Sequence, residues 1–149
     1  MTVSREAIVA EARTWLGVPW LHQGWRKEIG CDCIGLVRGV GHALGLFDAS
    51  DENPVNARFI GYPREPNPAL MRAALALYLF PAERHAIWPG DVLWLRFDGE
   101  PRHLAILADG GNVIHALESV SKVVEHRLDE RWAQRCIGSW RFPGVVAGP

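Results

Sequence analysis

Two cysteines flank an aspartate in "IGCDCIGLVRGVGHALG" (residues 29–45), and two histidines stand 12 positions apart further on, His103 in "HLAIL" and His115 in "NVIHA". Such groups can build a zinc site, a redox pair, or a nucleophile with its base. Spacing separates these chemistries. Structural zinc sites favour cysteines with two to four residues between them, whereas Cys31 and Cys33 are separated by Asp32 alone and Cys136 is isolated. A Cys31–Cys33 disulfide would close a tight ring across one residue and conflicts with ordinary Cα separations. Cys31 and Cys136 therefore read as small buried hydrophobes, a common fate of free cysteines.

Cys33 differs by position. With Asp32 as N-cap it becomes the first residue of a helix, beside unpaired N–H groups and the positive end of the macrodipole. That setting is expected to favour thiolate over thiol. Gly35 removes a side chain close by, so that backbone or substrate can approach. A nucleophile also needs a base and a group that orients the base. Of the six histidines, His22, His42, His85 and His126 read as surface or structural residues.

His103 and His115 lie on neighbouring expected strands joined through "ADGG". A three-residue loop, Ala108-Asp109-Gly110, with Gly110 left-handed, would set Leu107 against Gly111. The two imidazoles would then stand opposite each other on one face, with Cβ atoms about 4.5–5.5 Å apart. A two-residue turn would send them to opposite faces. In the first arrangement Cys33 attacks a carbonyl carbon, and His103 takes the thiol proton and returns it to the leaving amine. His115 holds the far nitrogen of His103, and the Cys33 backbone N–H stabilises the oxyanion. The residues alone leave a structural role for the histidine pair open.

These residues need elements to carry them. "VSREAIVAEARTWLG" has the spacing of an amphipathic helix capped by Ser4, with Ile8, Ala12, Trp15 and Leu16 on one face and a stop at Gly17. A second helix is expected from Cys33 to Leu44. A third, "PALMRAALALYLF", opens with Asn67 as cap and Pro68 in its first turn. Residues 47–67 are polar and proline-containing and read as an irregular excursion. After "WPGD" come short strands: "DVLWLRF", "HLAILAD", "NVIHAL", "KVVEHRL" and "CIGSWRF", with a helical turn "DERWAQR" before the last. Helices first and strands afterwards predict an α+β fold, with N-terminal helices packed on a C-terminal antiparallel sheet of five to six strands.

The 149 residues suit one domain spanning 1–149, and no repeat, linker or low-complexity segment interrupts them. With a net charge of −1, no strongly basic balance argues for a nucleic-acid partner. No apolar stretch approaches the roughly 20 residues that cross a bilayer. The start lacks a basic segment followed by an apolar run, so a chain made in the cytoplasm without a signal peptide is expected. Seven tryptophans are many for this length, and suit either a core or a groove that grips sugars or peptides.

Taken in order, "LGVPW", "DCIGL", "PGDVL", "HLAIL" and "NVIHA" resemble the NlpC-type cysteine peptidases, a papain-like family that cuts peptidoglycan stem peptides. The pieces span positions 16–116. The resemblance implies Cys33 as nucleophile, His103 as base and His115 as the third polar residue, with no metal or organic cofactor. It implies that Asp32 helps hold the substrate, and that the bond cut joins the γ-carboxyl of D-glutamate to a diamino acid. Trp20 departs from the family's usual tyrosine beside the oxyanion site; its indole N–H can donate but cannot accept. His22 is a second candidate donor from that loop. "HQG" and "GCDCIGLVRG" look most like stand-alone peptidases of tailed phages and related particles. That implies action on the cell wall, with tail proteins as partners and no membrane insertion. An amidase or acyltransferase on the same scaffold, or a tail component with a vestigial site, remains the alternative.

Overall fold

Ser4, Asp32 and Asn67 each precede an apolar run of helical spacing. In the computed structural model, which describes residues 2–146, each caps the helix expected of it. Their side chains accept from the backbone N–H of Ala7, Gly35 and Leu70 at the heads of α1 (Arg5–Arg13), α2 (Cys33–Ala43) and α3 (Pro68–Tyr78). Caps of this kind stabilise a helix by about 1 kcal/mol each. Helix α3 stops at Tyr78 rather than running on to Phe80. The residue before a proline is driven out of helical space, and Pro81 follows closely. Leu79 is already extended, and the chain continues as strand β3 (Phe80–Ala82).

Between α1 and α2 lies a two-stranded ribbon of β1 (Trp25–Arg26) and β2 (Gly30–Cys31). The main sheet adds β4 (Val92–Phe97), β5 (Glu100–Leu107), β6 (Asn112–Leu117), β7 (Lys122–Arg127) and β8 (Cys136–Arg141), with the short helix α4 (Glu130–Ala133) before the last. Its six strands run in the order β3-β8-β4-β5-β6-β7, and every pairing is antiparallel. The α+β architecture expected from the sequence is thus the one observed. Pro81 is tolerated because β3 forms an edge of the sheet.

Alternation along the strands divides the interior. Val92, Trp94, Leu104, Ile106 and Ile114 meet Ile8, Ala12, Leu36 and Val40 of the helices, while Leu93, Leu95, Ala105 and Val113 form a second cluster with Trp132 and Cys136. Burying each large aliphatic side chain contributes about 1.5–3 kcal/mol. Asp91, fully buried, fastens the layers together. It accepts from Arg5 of α1, from Arg141 of β8 and from the Trp88 N–H. Among the described residues no helix is long and apolar enough to cross a membrane.

The β5–β6 connection differs from the expected one. Leu107 faces Val113, not Gly111, so five residues form the loop. Gly110 takes the expected left-handed conformation, but Gly111 also has φ +75°, and the Ala108 N–H closes the turn on the Asn112 carbonyl at 2.7 Å. The slip is two residues. An even slip keeps every side chain on its face, so the histidines stay on one side of the sheet as diagonal rather than direct neighbours.

Candidate active site

Cys33 sits at the first position of α2 because Asp32 holds the chain open there. The Asp32 carboxylate accepts from the Gly35 N–H at 2.7 Å, the Gln23 N–H at 2.7 Å and the Tyr62 hydroxyl at 2.6 Å. The head of α2 lies directly on the preceding loop. A Cβ at Gly35 would fall 1.6 Å from the Gly24 carbonyl oxygen, so only glycine allows this approach. It is backbone, then, that the missing side chain admits. From α2 the Cys33 Sγ reaches across to β5, 3.9 Å from the Arg102 carbonyl oxygen and one residue from His103.

The imidazoles form a row. His103 Nε2 lies 2.7 Å from His115 Nδ1, His115 Nε2 lies 2.8 Å from His126 Nε2, and His126 Nδ1 lies 2.9 Å from the Arg127 carbonyl oxygen. Phe97 stacks on the His103 ring at 4.2 Å and 13°. Trp132 of α4 covers His115 and His126 with ring centroids 5.1 and 4.9 Å away. With Nε2 engaged by His115, Nδ1 is the His103 nitrogen left for a partner in the cleft.

Burial dominates the electrostatics. Desolvation, followed by the neighbouring Asp32 charge, pushes the Cys33 thiol up to about 12, and backbone hydrogen bonds from Leu104 of β5 and Ile34 of α2 offset only part of this. Burial thus works against the thiolate that the helix terminus is expected to favour. Desolvation also holds His103 well below its ordinary value and His115 down to about 3. Near neutral pH the resting site is a thiol facing neutral imidazoles. Asp32 is raised by its own burial, against the lowering effect of the Tyr62, Gly35 and Gln23 hydrogen bonds.

Cys33 and His103 line one cleft of about 380 Å³ with Trp20, His22, Asp32 and Tyr62. His115 lies behind His103, fully buried. Of the other histidines, His42 accepts from the Ala49 N–H and meets Trp25, and His85 is exposed beside Glu83. Two residues escape the sequence reading. Tyr62 comes from the excursion at 47–67, which forms a wall of the cleft and is irregular apart from a 3-10 turn over Pro54–Phe59. His126, expected to be a surface or structural histidine without a clear partner, is the third ring of the row. The signal for it was register. Val113 pairs with His126 across β6 and β7, which makes His126 a diagonal neighbour of His115 on the same face.

Known proteins share this architecture. The model of the NlpC/P60 family matches residues 17–141. The gamma-DL-glutamyl hydrolase of Bacillus subtilis (strain 168) is 26% identical over 142 residues, covering 93% of this chain and 30% of its own. The chain thus spans under a third of that relative's length. Among solved structures, the NlpC/p60 domain of the peptidoglycan hydrolase SagA is 23% identical with a TM-score of 0.60, covering 94% of this chain and 100% of that one. An NlpC/P60 family protein from Bacillus cereus ATCC 10987 is 19% identical with a TM-score of 0.67, covering 95% and 41%. These likenesses show a shared fold.

Proposed function

The chain belongs to the NlpC/P60 family, and from that premise we propose that it is a cysteine endopeptidase hydrolysing the γ-D-glutamyl–diamino acid bond of peptidoglycan stem peptides. The observation that carries the reading is the meeting of Cys33 and His103 in one cleft, with the far nitrogen of His103 held by His115. The gamma-DL-glutamyl name of the Bacillus subtilis relative supports the choice of bond.

Cys33 is the nucleophile. Because thiol and imidazole are both neutral at rest, the proton leaves Sγ for His103 Nδ1 as sulfur attacks the carbonyl carbon. The new imidazolium keeps its Nε2 against His115. The oxyanion lies at the head of α2, where the Cys33 N–H and the Trp20 indole N–H stabilise it; His22, the second candidate donor, instead gives its Nε2 hydrogen to the Tyr62 carbonyl oxygen at 3.1 Å. The C–N bond then breaks, His103 protonates the departing amine, and water activated by the same ring releases the acid. Asp32 and Tyr62 hold the substrate on the other side of the sulfur.

Mass spectrometry of purified muropeptides tests this. Wild type is expected to free a new amine on the diamino acid, and Cys33→Ala to free none. His103→Ala is expected to slow turnover by about two orders of magnitude or more. A fresh ester or amide as product would move the reading to acyl transfer. Delivery in a phage tail or phage-like particle rests on the likeness of "HQG" and "GCDCIGLVRG" to phage-encoded peptidases. The chain is then expected in purified particles, and its absence there removes that part.

A further inference from the structure

The row of three rings ends on an atom that can only accept. The Arg127 carbonyl oxygen has no proton to give, so the His126 Nδ1 that meets it must carry the hydrogen. A neutral imidazole has one N–H and one lone pair, so His126 Nε2 is then an acceptor, and the nitrogen facing it, His115 Nε2, must donate. The same step repeats. His115 Nδ1 becomes an acceptor and His103 Nε2 must donate to it. What remains on His103 is a bare lone pair at Nδ1, on the nitrogen left for the cleft.

We propose that His126 is a positioning residue. It transmits the polarity of the Arg127 carbonyl through His115 to His103, so that His103 Nδ1 is always the base. This rests on the peptidase reading for its effect on rate, but the tautomers themselves do not. The reversed arrangement, with a hydrogen on His103 Nδ1, leaves the ring unable to take a thiol proton. It would also set two N–H groups or two lone pairs against each other somewhere along the row, at separations of 2.7–2.9 Å. One proton moves in the chemical step, from Sγ to Nδ1. The hydrogens on the three rings stay where they are, so the row fixes direction and is not a relay. Trp132, against both His115 and His126, keeps the two rings in line.

The test uses the intact chain with ¹⁵N-labelled histidine. Long-range ¹H–¹⁵N spectra of the wild type are expected to show His126 as the Nδ1–H form, and His115 and His103 as Nε2–H forms. His126→Phe keeps a ring beside Trp132 but offers His115 no acceptor. It is expected to give mixed tautomers at His115 and His103 and to lower kcat about tenfold at nearly unchanged KM, an effect of the size common for groups that orient a functional imidazole. His126→Gln places an amide oxygen near the lost Nε2 and is expected to restore most of kcat and the single tautomer. A wild-type His103 in the Nδ1–H form overturns the proposal, as does His126→Phe with unchanged tautomers and kcat. A loss in both variants with a lowered Tm also overturns it, because it assigns His126 to packing alone. Should wild type leave muropeptides intact while its spectra show these three tautomers, the peptidase reading falls and the ordered row stands.

Discussion

The protonation state of Cys33, the proposed nucleophile, follows from where its sulfur is buried, and this could not be taken from its place in the chain. A cysteine at a helix head is ordinarily helped toward thiolate by the dipole. At Cys33, desolvation and the Asp32 charge outweigh that help and push the thiol up to about 12. The inactivation rate with iodoacetamide is therefore expected to climb about tenfold per pH unit between roughly pH 7 and 9, following the rising thiolate fraction. A rate already level at neutral pH would indicate a preformed thiolate–imidazolium pair. Cys33, His103 and His115 were legible in the sequence because each sits in a short motif whose neighbours reveal a cap or a strand. Tyr62 was not, because it reaches Asp32 from 30 positions away through a segment without periodicity.

Among the elements, the contact between α2 and the loop before it decides the site's shape. Gly35 has no room for a methyl group against the Gly24 carbonyl. Gly35→Ala is expected to push the loop carrying Trp20 and His22 away from Cys33 and to lower kcat/KM by about a hundredfold or more. Far-UV circular dichroism should stay close to wild type, since alanine favours the helix itself. Unchanged activity would show that the loop can move without consequence. Caps and alternation made the helices and strands readable. The β5–β6 loop was misjudged by two residues because consecutive glycines permit several closures, and alternation is blind to an even slip. The end of α3 was misjudged for a related reason: its apolar run continues past Tyr78 into a strand, and only Pro81 marks the change.

At the scale of the whole molecule, the buried histidines tie stability to acidity. His115 is held down to about 3 and His103 is also lowered, so both stay neutral in the folded chain where an unfolded chain would take up protons. Between about pH 6.5 and 3 the unfolded state binds more protons, and stability falls as pH falls. Each unit of displacement is about 1.4 kcal/mol, so His115 alone accounts for several kcal/mol across that window. The Tm is expected to drop steadily from neutral pH to pH 3, and His115→Gln to flatten the drop. An equally steep drop in that variant would assign the acid sensitivity to the carboxylates. The arrangement of the cleft has a different consequence. Cys33 and His103 are mounted on α2 and β5, whereas the opposite bank is the irregular segment at 47–67, fastened near the sulfur through Tyr62, whose hydroxyl donates to Asp32 and whose carbonyl meets His22 and Gln23. On the proposed reading, residues 63–66 line the cleft away from the helix and strand that carry Cys33 and His103, so exchanging them is expected to alter which peptide is accepted while leaving the cutting groups in place.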